Sequence, residues 1–254
     1  MPLLEVRSLS KHFGGVAAVR SIDFSIEEKQ IVGLIGPNGA GKTSFFNCLT
    51  GLLPIDEGSI FFDAGRHRLD GLPPNKILEK GIARTFQNLR IFREMTLLEN
   101  ISIGFHTKTR SGLLGALART RSFREGEEMV FRESERLLKF VGLDGLGDTI
   151  AGNLSYGLQK RLEIARALAC QPKLLCLDEP VAGMNPNEKE AVAKLIRVIR
   201  DQGITVLIIE HDMRVVMPLS DKVVVMDEGQ KIAEGTPGEI QKNPRVIQAY
   251  LGEG

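Results

Sequence analysis

Short apolar runs bounded by polar turns recur along this chain, and their spacing predicts its elements. Leu4 to Leu9 and Ser21 to Ile26 read as strands, Ile31 to Ile35 as a third, and Ser59 to Phe62 as a fourth beyond an intervening helix over Ser44 to Thr50. Gly14-Gly15 and Asp56-Glu57-Gly58 supply turns between them. Further on, Leu174 to Leu177, Thr205 to Ile209 and Lys222 to Met226 are strand-like, and they alternate with helical patterns at Leu158 to Cys170 and Asn187 to Gln202. Alternation of that kind predicts a parallel sheet covered by helices. The early strands, with no helix between them, predict an antiparallel sheet packed beside it. The expected class is therefore α/β.

Between about Asn88 and Gly157 the strand signal disappears, while Met129, Val130, Leu137, Leu138 and Val141 fall at helical spacing within Glu125 to Val141. This stretch reads as an inserted α-helical subdomain. Its basic residues Lys108, Arg110, Arg119, Arg121 and Arg124 interleave with Ser111-Gly112-Leu113-Leu114-Gly115, as a solvated face or as a contact with lipid headgroups or a partner subunit.

Composition narrows the partners. Among 254 residues, 43% are hydrophobic, enough for a sizeable core, and 33 basic side chains face 32 acidic ones. That balance provides no broad field for nucleic acid or an anionic membrane. Cys48, Cys170 and Cys176 lie in apolar segments without Cys-x-x-Cys spacing, as expected of buried thiols in a reducing compartment. Met1-Pro2-Leu3-Leu4-Glu5-Val6-Arg7 lacks the features of a secretory leader, and no run reaches the 18 or so apolar residues of a membrane span. Service to a membrane would then go through a partner.

The most informative motif is Gly36-Pro37-Asn38-Gly39-Ala40-Gly41-Lys42-Thr43, set between the run Ile31 to Ile35 and a helix that opens at Ser44. In that context it is a phosphate-binding loop: successive backbone N–H groups encircle a polyphosphate, the helix adds its positive end, and Lys42 supplies a mobile charge. Leu174-Leu175-Cys176-Leu177-Asp178-Glu179 places two carboxylates at the end of an apolar strand, where open α/β sheets bind ligands. Asp178 is suited to hold Mg²⁺ with the Thr43 hydroxyl, and Glu179 to polarise a water for in-line attack on a γ-phosphate. A third strand ends in Glu210-His211-Asp212, where His211 can sense charge or orient a water. Gln87, after the strand-like Ile82-Ala83-Arg84, can offer its amide to Mg²⁺ or to that water. Ser155 and Gly157 precede the helix over Leu158 to Cys170, either as an anion site or as an ordinary helix cap.

Together these stretches resemble the ATP-binding subunits of ABC transporters over essentially the whole chain. Gly36 to Thr43 looks like Walker A, Gln87 like the Q-loop residue, Leu154 to Leu158 like the signature motif, Leu174 to Glu179 like Walker B, and His211 like the switch histidine. The resemblance implies one nucleotide-binding domain over 1–254, with an ATPase core and antiparallel β subdomain near 1–87 and 158–254, and the helical subdomain at 88–157. It also implies that Phe13 and Val19 flank the adenine, and that Ser155 and Gly157 complete the site of a second ATP-binding subunit in a head-to-tail dimer. Tyr156, Leu158 and Asn185 depart from the usual motif residues.

At closer range, Arg84 to Thr96, Leu162 to Ala167 and the tail from Gly235 to Gly252 resemble the larger, G-type ATP-binding subunit of branched-chain amino-acid importers. That implies ATP and Mg²⁺, two integral-membrane permease subunits, an extracytoplasmic substrate-binding protein, and a peripheral position on the cytoplasmic face of the membrane. Importers of urea or short amides are the alternative within the family. A soluble mechanochemical ATPase acting on nucleic acid or ribosomes fits poorly without basic excess or a long heptad insert. A non-hydrolysing nucleotide sensor fits poorly with Glu179 present.

Overall fold

Ile31–Ile35 is buried at all five positions. Burial on both faces is the mark of a central parallel strand, and this one, β3, lies inside a six-stranded sheet. The computed structural model describes residues 2–105 and 121–251. Along this sheet the order is β10 (Gln230–Gly235), β9 (Lys222–Asp227), β3, β8 (Thr205–Ile209), β7 (Leu174–Asp178) and β6 (Ile82–Arg84). All neighbours pair in parallel except the edge strand β10, which pairs antiparallel with β9. The second sheet is antiparallel, in the order β2 (Val16–Ile26), β1 (Leu4–Phe13), β4 (Glu57–Phe62) and β5 (His67–Arg68).

Strand alternation divides the core. On β7, Leu174 and Cys176 join the apolar cluster under the antiparallel sheet, whereas Leu175 and Leu177 join the cluster under the helices. Leu207 and Ile209 of β8 repeat the first set, and Val206 and Ile208 the second. Helix α1 (Lys42–Leu49) packs with the antiparallel sheet, where Phe24 and Phe45 meet edge to face at 5.3 Å, a contact worth about 1 kcal/mol beyond its burial.

The remaining helices are α2 (Pro74–Lys80), α3 (Leu97–Gly104), α4 (Arg121–Phe140), α5 (Tyr156–Ala169), α6 (Pro186–Asp201), α7 (Met213–Leu219), α8 (Pro237–Lys242) and α9 (Pro244–Leu251). Thr96 with Glu99, Asn185 with Glu188, and Thr236 with Glu239 form capping boxes that start α3, α6 and α8, each cap contributing about 1 kcal/mol. Between β6 and β7 the described residues contain helices and one isolated bridge, Thr96 to Ile150. Lys108, Arg110 and Arg119 of the basic stretch lie outside the described residues.

Several elements differ from the hydrophobic pattern. β1 runs to Phe13 rather than stopping at Leu9, because register shifts between Val6 and Leu9 and again before Lys11 break the two-residue alternation. Glu57 and Gly58 are already in β4, so the turn ends two residues earlier than its composition indicates. Pro74 occupies the first helical position of α2, where a missing N–H costs nothing.

Candidate active site

Four consecutive strands of the parallel sheet, β6, β7, β8 and β3, each deliver one predicted motif from the carboxyl end, and β9 braces the last of them. The strands are buried and their ends emerge on one edge, so residues 87, 178, 179, 211 and the loop 36–43 converge although they are far apart in sequence.

The phosphate loop follows β3. Gly41 precedes α1 at φ 93°, and a Cβ there would run into the Ala18 carbonyl, so only glycine fits. No side chain caps α1, which leaves its first N–H groups directed toward an anion. Lys42 Nζ donates to the carbonyls of Gly36 and Pro37 at 2.6 and 2.7 Å. Asn38, Gly39 and Thr43 are exposed, Ala40 is buried, and Ser44 follows in the first turn of the helix. Behind the loop, the Gly229 N–H donates to the Ala40 carbonyl at 3.1 Å, and the Arg20 N–H donates to the Gly229 carbonyl at 2.8 Å. The turn after β9 thus ties the loop to β2.

Phe13 closes β1 with its ring 48% exposed, and Lys11 Nζ stands 5.6 Å from the ring centre. Val19 does not share that surface. Its side chain is completely buried among Leu4, Ile22 and Phe46, so the expectation that it flanks a base is corrected. The strand period is the reason: one residue back, Ala18 is partly exposed and its carbonyl faces Gly41.

Asp178 ends β7 and is nearly buried. Its Oδ2 accepts from Arg84 Nη2 at 3.1 Å, and its backbone N–H donates to Thr85 Oγ1 at 3.2 Å. Burial pushes the carboxyl up and the Arg84 guanidinium pulls it back down. Glu179 takes a left-handed φ of 45°, uncommon for a residue with a side chain and typical of functional turns. Gln87 Nε2 donates to Glu179 Oε2 at 3.1 Å, and His211 Nδ1 lies 3.7 Å from Glu179 Oε1. Beneath His211, Glu210 is buried and accepts from the Val181 N–H at 3.1 Å, and burial raises its carboxyl. Among the described residues no three His, Cys, Asp or Glu side chains cluster as a metal cage. A single carboxylate with a hydroxyl nearby is what a phosphate-bound Mg²⁺ uses, because it keeps waters and substrate oxygens as its other ligands.

Ser155 is exposed at the start of α5 and makes no capping bond with its hydroxyl. Gly157 is buried, and a Cβ there would stand 2.9 Å from Glu188 Oε1. Asn185 accepts from the Glu188 N–H at 3.0 Å, a capping role that asparagine fills as well as aspartate. All three cysteines are buried, and burial lifts the Cys48 and Cys176 thiols to about 11 and about 12, which keeps both protonated at neutral pH.

Sequence reasoning missed the residues that hold Gln87. Lys160 Nζ donates to the Phe86 carbonyl at 2.8 Å, while Glu163 Oε1 accepts from the Phe86 N–H at 3.1 Å. Both side chains are buried on α5 and form an ion pair at 3.4 Å. The available signal was that Lys160 falls in line with Ile164, Ala167 and Leu168, a charge on the apolar stripe.

Comparison with known proteins identifies the family. The family described as ABC transporter matches residues 19–182, and the family described as branched-chain amino acid ATP-binding cassette transporter matches residues 230–254. The high-affinity branched-chain amino acid transport ATP-binding protein BraF of Pseudomonas aeruginosa is 46% identical over 99% of this chain and 98% of its own length. The high-affinity branched-chain amino acid transport ATP-binding protein LivG of Escherichia coli is 45% identical over the same shares. Among solved structures, the ADP conformation of an ATP-binding cassette of an ABC transporter superposes with a TM-score of 0.86 at 35% identity, covering 99% of both chains. By family model, near-full-length likeness and fold, the chain belongs to the ABC transporters as one of their ATP-binding cassettes.

Proposed function

We propose that this chain is the ATP-hydrolysing subunit that drives uptake of leucine, isoleucine and valine through a membrane importer. The observation that carries the catalytic half is the placement of Glu179 between Gln87 and His211 at the strand ends beside the phosphate loop. The cargo half rests on the near-full-length likeness to BraF and LivG and on the family match of the tail.

In this reading the N–H groups of Gly36 to Ser44 and the Lys42 ammonium bind the triphosphate, and Phe13 stacks on the adenine, a contact that any π-face can make. The Thr43 hydroxyl, the Asp178 carboxylate and the Gln87 amide oxygen are the groups that would hold Mg²⁺. When bound there, the ion neutralises charge on the β- and γ-phosphate oxygens. Glu179 accepts the proton of the attacking water, and His211, exposed beside it, orients that water and answers to the γ-phosphate. Ser155 and the N-terminus of α5 serve the nucleotide of a second ATP-binding subunit, so the γ-phosphate joins the two subunits and its loss releases them.

Among the described residues no helix is long and apolar enough to cross a membrane. In this reading the chain is a peripheral subunit on the cytoplasmic face, with two permeases and, indirectly, an extracytoplasmic binding protein, as its likeness to BraF and LivG supports. Phe92, 48% exposed, is the docking contact for a permease helix.

Glu179→Gln tests the reading directly. The variant retains ATP binding, loses more than about 100-fold in turnover and accumulates as an ATP-bound dimer in size-exclusion chromatography. Normal steady-state ATPase in that variant would remove Glu179 from its role. Purification of the tagged chain from detergent-solubilised membranes tests the rest: co-purifying permeases support the importer, and recovery with ribosomes or DNA overturns it.

A further inference from the structure

Arg84 has no part in the chemistry assigned above, yet it joins three pieces of the site. It is the last residue of β6, and its side chain is 10% exposed. Nη1 donates to Asn47 Oδ1 at 2.9 Å and to Thr50 Oγ1 at 2.7 Å, while Nη2 donates to Asp178 Oδ2 at 3.1 Å. The guanidinium carbon also lies 4.7 Å from the Phe46 ring centre and 4.6 Å from that of Phe86. With Nε also donating to the Thr85 carbonyl at 3.3 Å, two aromatic faces and four acceptors leave this planar group with one orientation.

Asn47 belongs to α1, the helix that carries Thr43 in its first turn, and Thr50 is that helix's C-cap. Asp178 ends β7. One rigid cation therefore spans the two elements that bear the hydroxyl and the carboxylate assigned to Mg²⁺. It engages Oδ2 of Asp178, which leaves Oδ1 for the ion. Outer residues that orient ligands in this way typically govern about ten- to hundredfold in metal affinity.

We propose that Arg84 is a positioning residue that sets the spacing between Thr43 and Asp178 and so determines how tightly the site takes Mg²⁺ with its nucleotide. The inference rests on the assignment of those two residues to the cation. Arg84, Thr50 and Phe86 also line a groove of about 300 Å³ beside α2, so the wall of that groove and the cation pair share one side chain.

The test is binding of a fluorescent ATP analogue to the intact chain, with excess EDTA and across a Mg²⁺ titration, for wild type, Arg84→Gln and Arg84→Lys. With EDTA both variants bind within about twofold of wild type. In the titration, Arg84→Gln requires about tenfold more Mg²⁺ for half-effect. Arg84→Lys falls between, since one ammonium reaches Asp178 without forking to α1. A folded Arg84→Gln with wild-type Mg²⁺ dependence overturns the inference, as does an equal loss with and without Mg²⁺, which marks a merely structural role. If Arg84→Gln does not fold, Asn47→Ala with Thr50→Val loosens the α1 anchor while keeping both charges. It raises the Mg²⁺ requirement about threefold, near the low end of such effects, and an unchanged requirement again overturns the inference. Absence of Mg²⁺ dependence in the wild type would instead dismiss the assignment of Thr43 and Asp178.

Discussion

Asp212 shows how much one side chain beside His211 carries. Its Oδ2 accepts from Lys189 Nζ at 2.7 Å and its Oδ1 from the Arg214 N–H at 3.1 Å, and the Lys189 bond is the main reason its carboxyl falls to about 2. The folded-state value lies below that of the unfolded chain. The pair therefore stabilises the fold above about pH 4 and loses its contribution as pH falls toward 2. In urea unfolding, the wild type should lose stability between pH 4 and pH 2.5 more steeply than Asp212→Asn, which should itself be about 1 kcal/mol less stable at pH 7. Individual residues differed in how legible they were. Asp178, Glu179 and His211 could be read because a strand end next to a phosphate loop is a defined place. Lys160 and Glu163 look like solvated helix charges until tertiary packing buries both against the Gln87 loop.

At the scale of elements, the turn between β9 and β10 is the brace that the hydrophobic pattern does not announce. Gly229 sits there at φ 78° with its N–H on Ala40 and its carbonyl on Arg20, and a Cβ would come within 3.0 Å of the Ala17 and Ala18 carbonyls. Gly229→Val should push the phosphate loop away from β2 and weaken ATP binding by about tenfold, or about 1.4 kcal/mol. Equilibrium titration with an ATP analogue checks this, and unchanged affinity would mean that the loop needs no brace. Strand β2, on which that turn leans, explains why Val19 is buried away from the loop. Membership of β2 is readable from apolar content, but which neighbour faces the loop depends on the irregular pairing of Lys11 with Val19 and His12 with Ala17.

For the whole molecule, the segment after Gln87 divides two roles between adjacent residues. Ile91 packs against the main core cluster, whereas Phe92 is half exposed beneath the Arg166 guanidinium at 5.5 Å. Asn100 fixes this segment by accepting from the Phe92 N–H and donating to the Phe92 carbonyl, both at 2.9 Å. Phe92→Glu should leave ATPase of the isolated chain within about twofold of wild type, as a surface change does, while abolishing uptake in the assembled importer. Ile91→Glu should destabilise the fold itself by about 1–2 kcal/mol, because the partly buried Ile91 gives up its apolar contact with the core to a charge. Uptake assays beside thermal melts separate the two, and normal uptake with Phe92→Glu would remove this segment from the permease interface.

By itself the sequence determined the α/β class and the main strands and helices of the core, and it marked the motif residues, because these follow from local rules: two- and 3.6-residue periods, glycines where backbone must approach phosphate, and acids at the ends of apolar strands. Tertiary structure alone decided which of those residues meet. The order β6, β7, β8, β3, β9 brings Gln87, Glu179, His211 and the phosphate loop to one edge. It also recruits Arg84, Lys160, Glu163 and Gly229, whose roles arise from partners 34 or more residues away in no local pattern. A hydrogen bond or a buried ion pair depends on distance in space, and only the packed sheet supplies that.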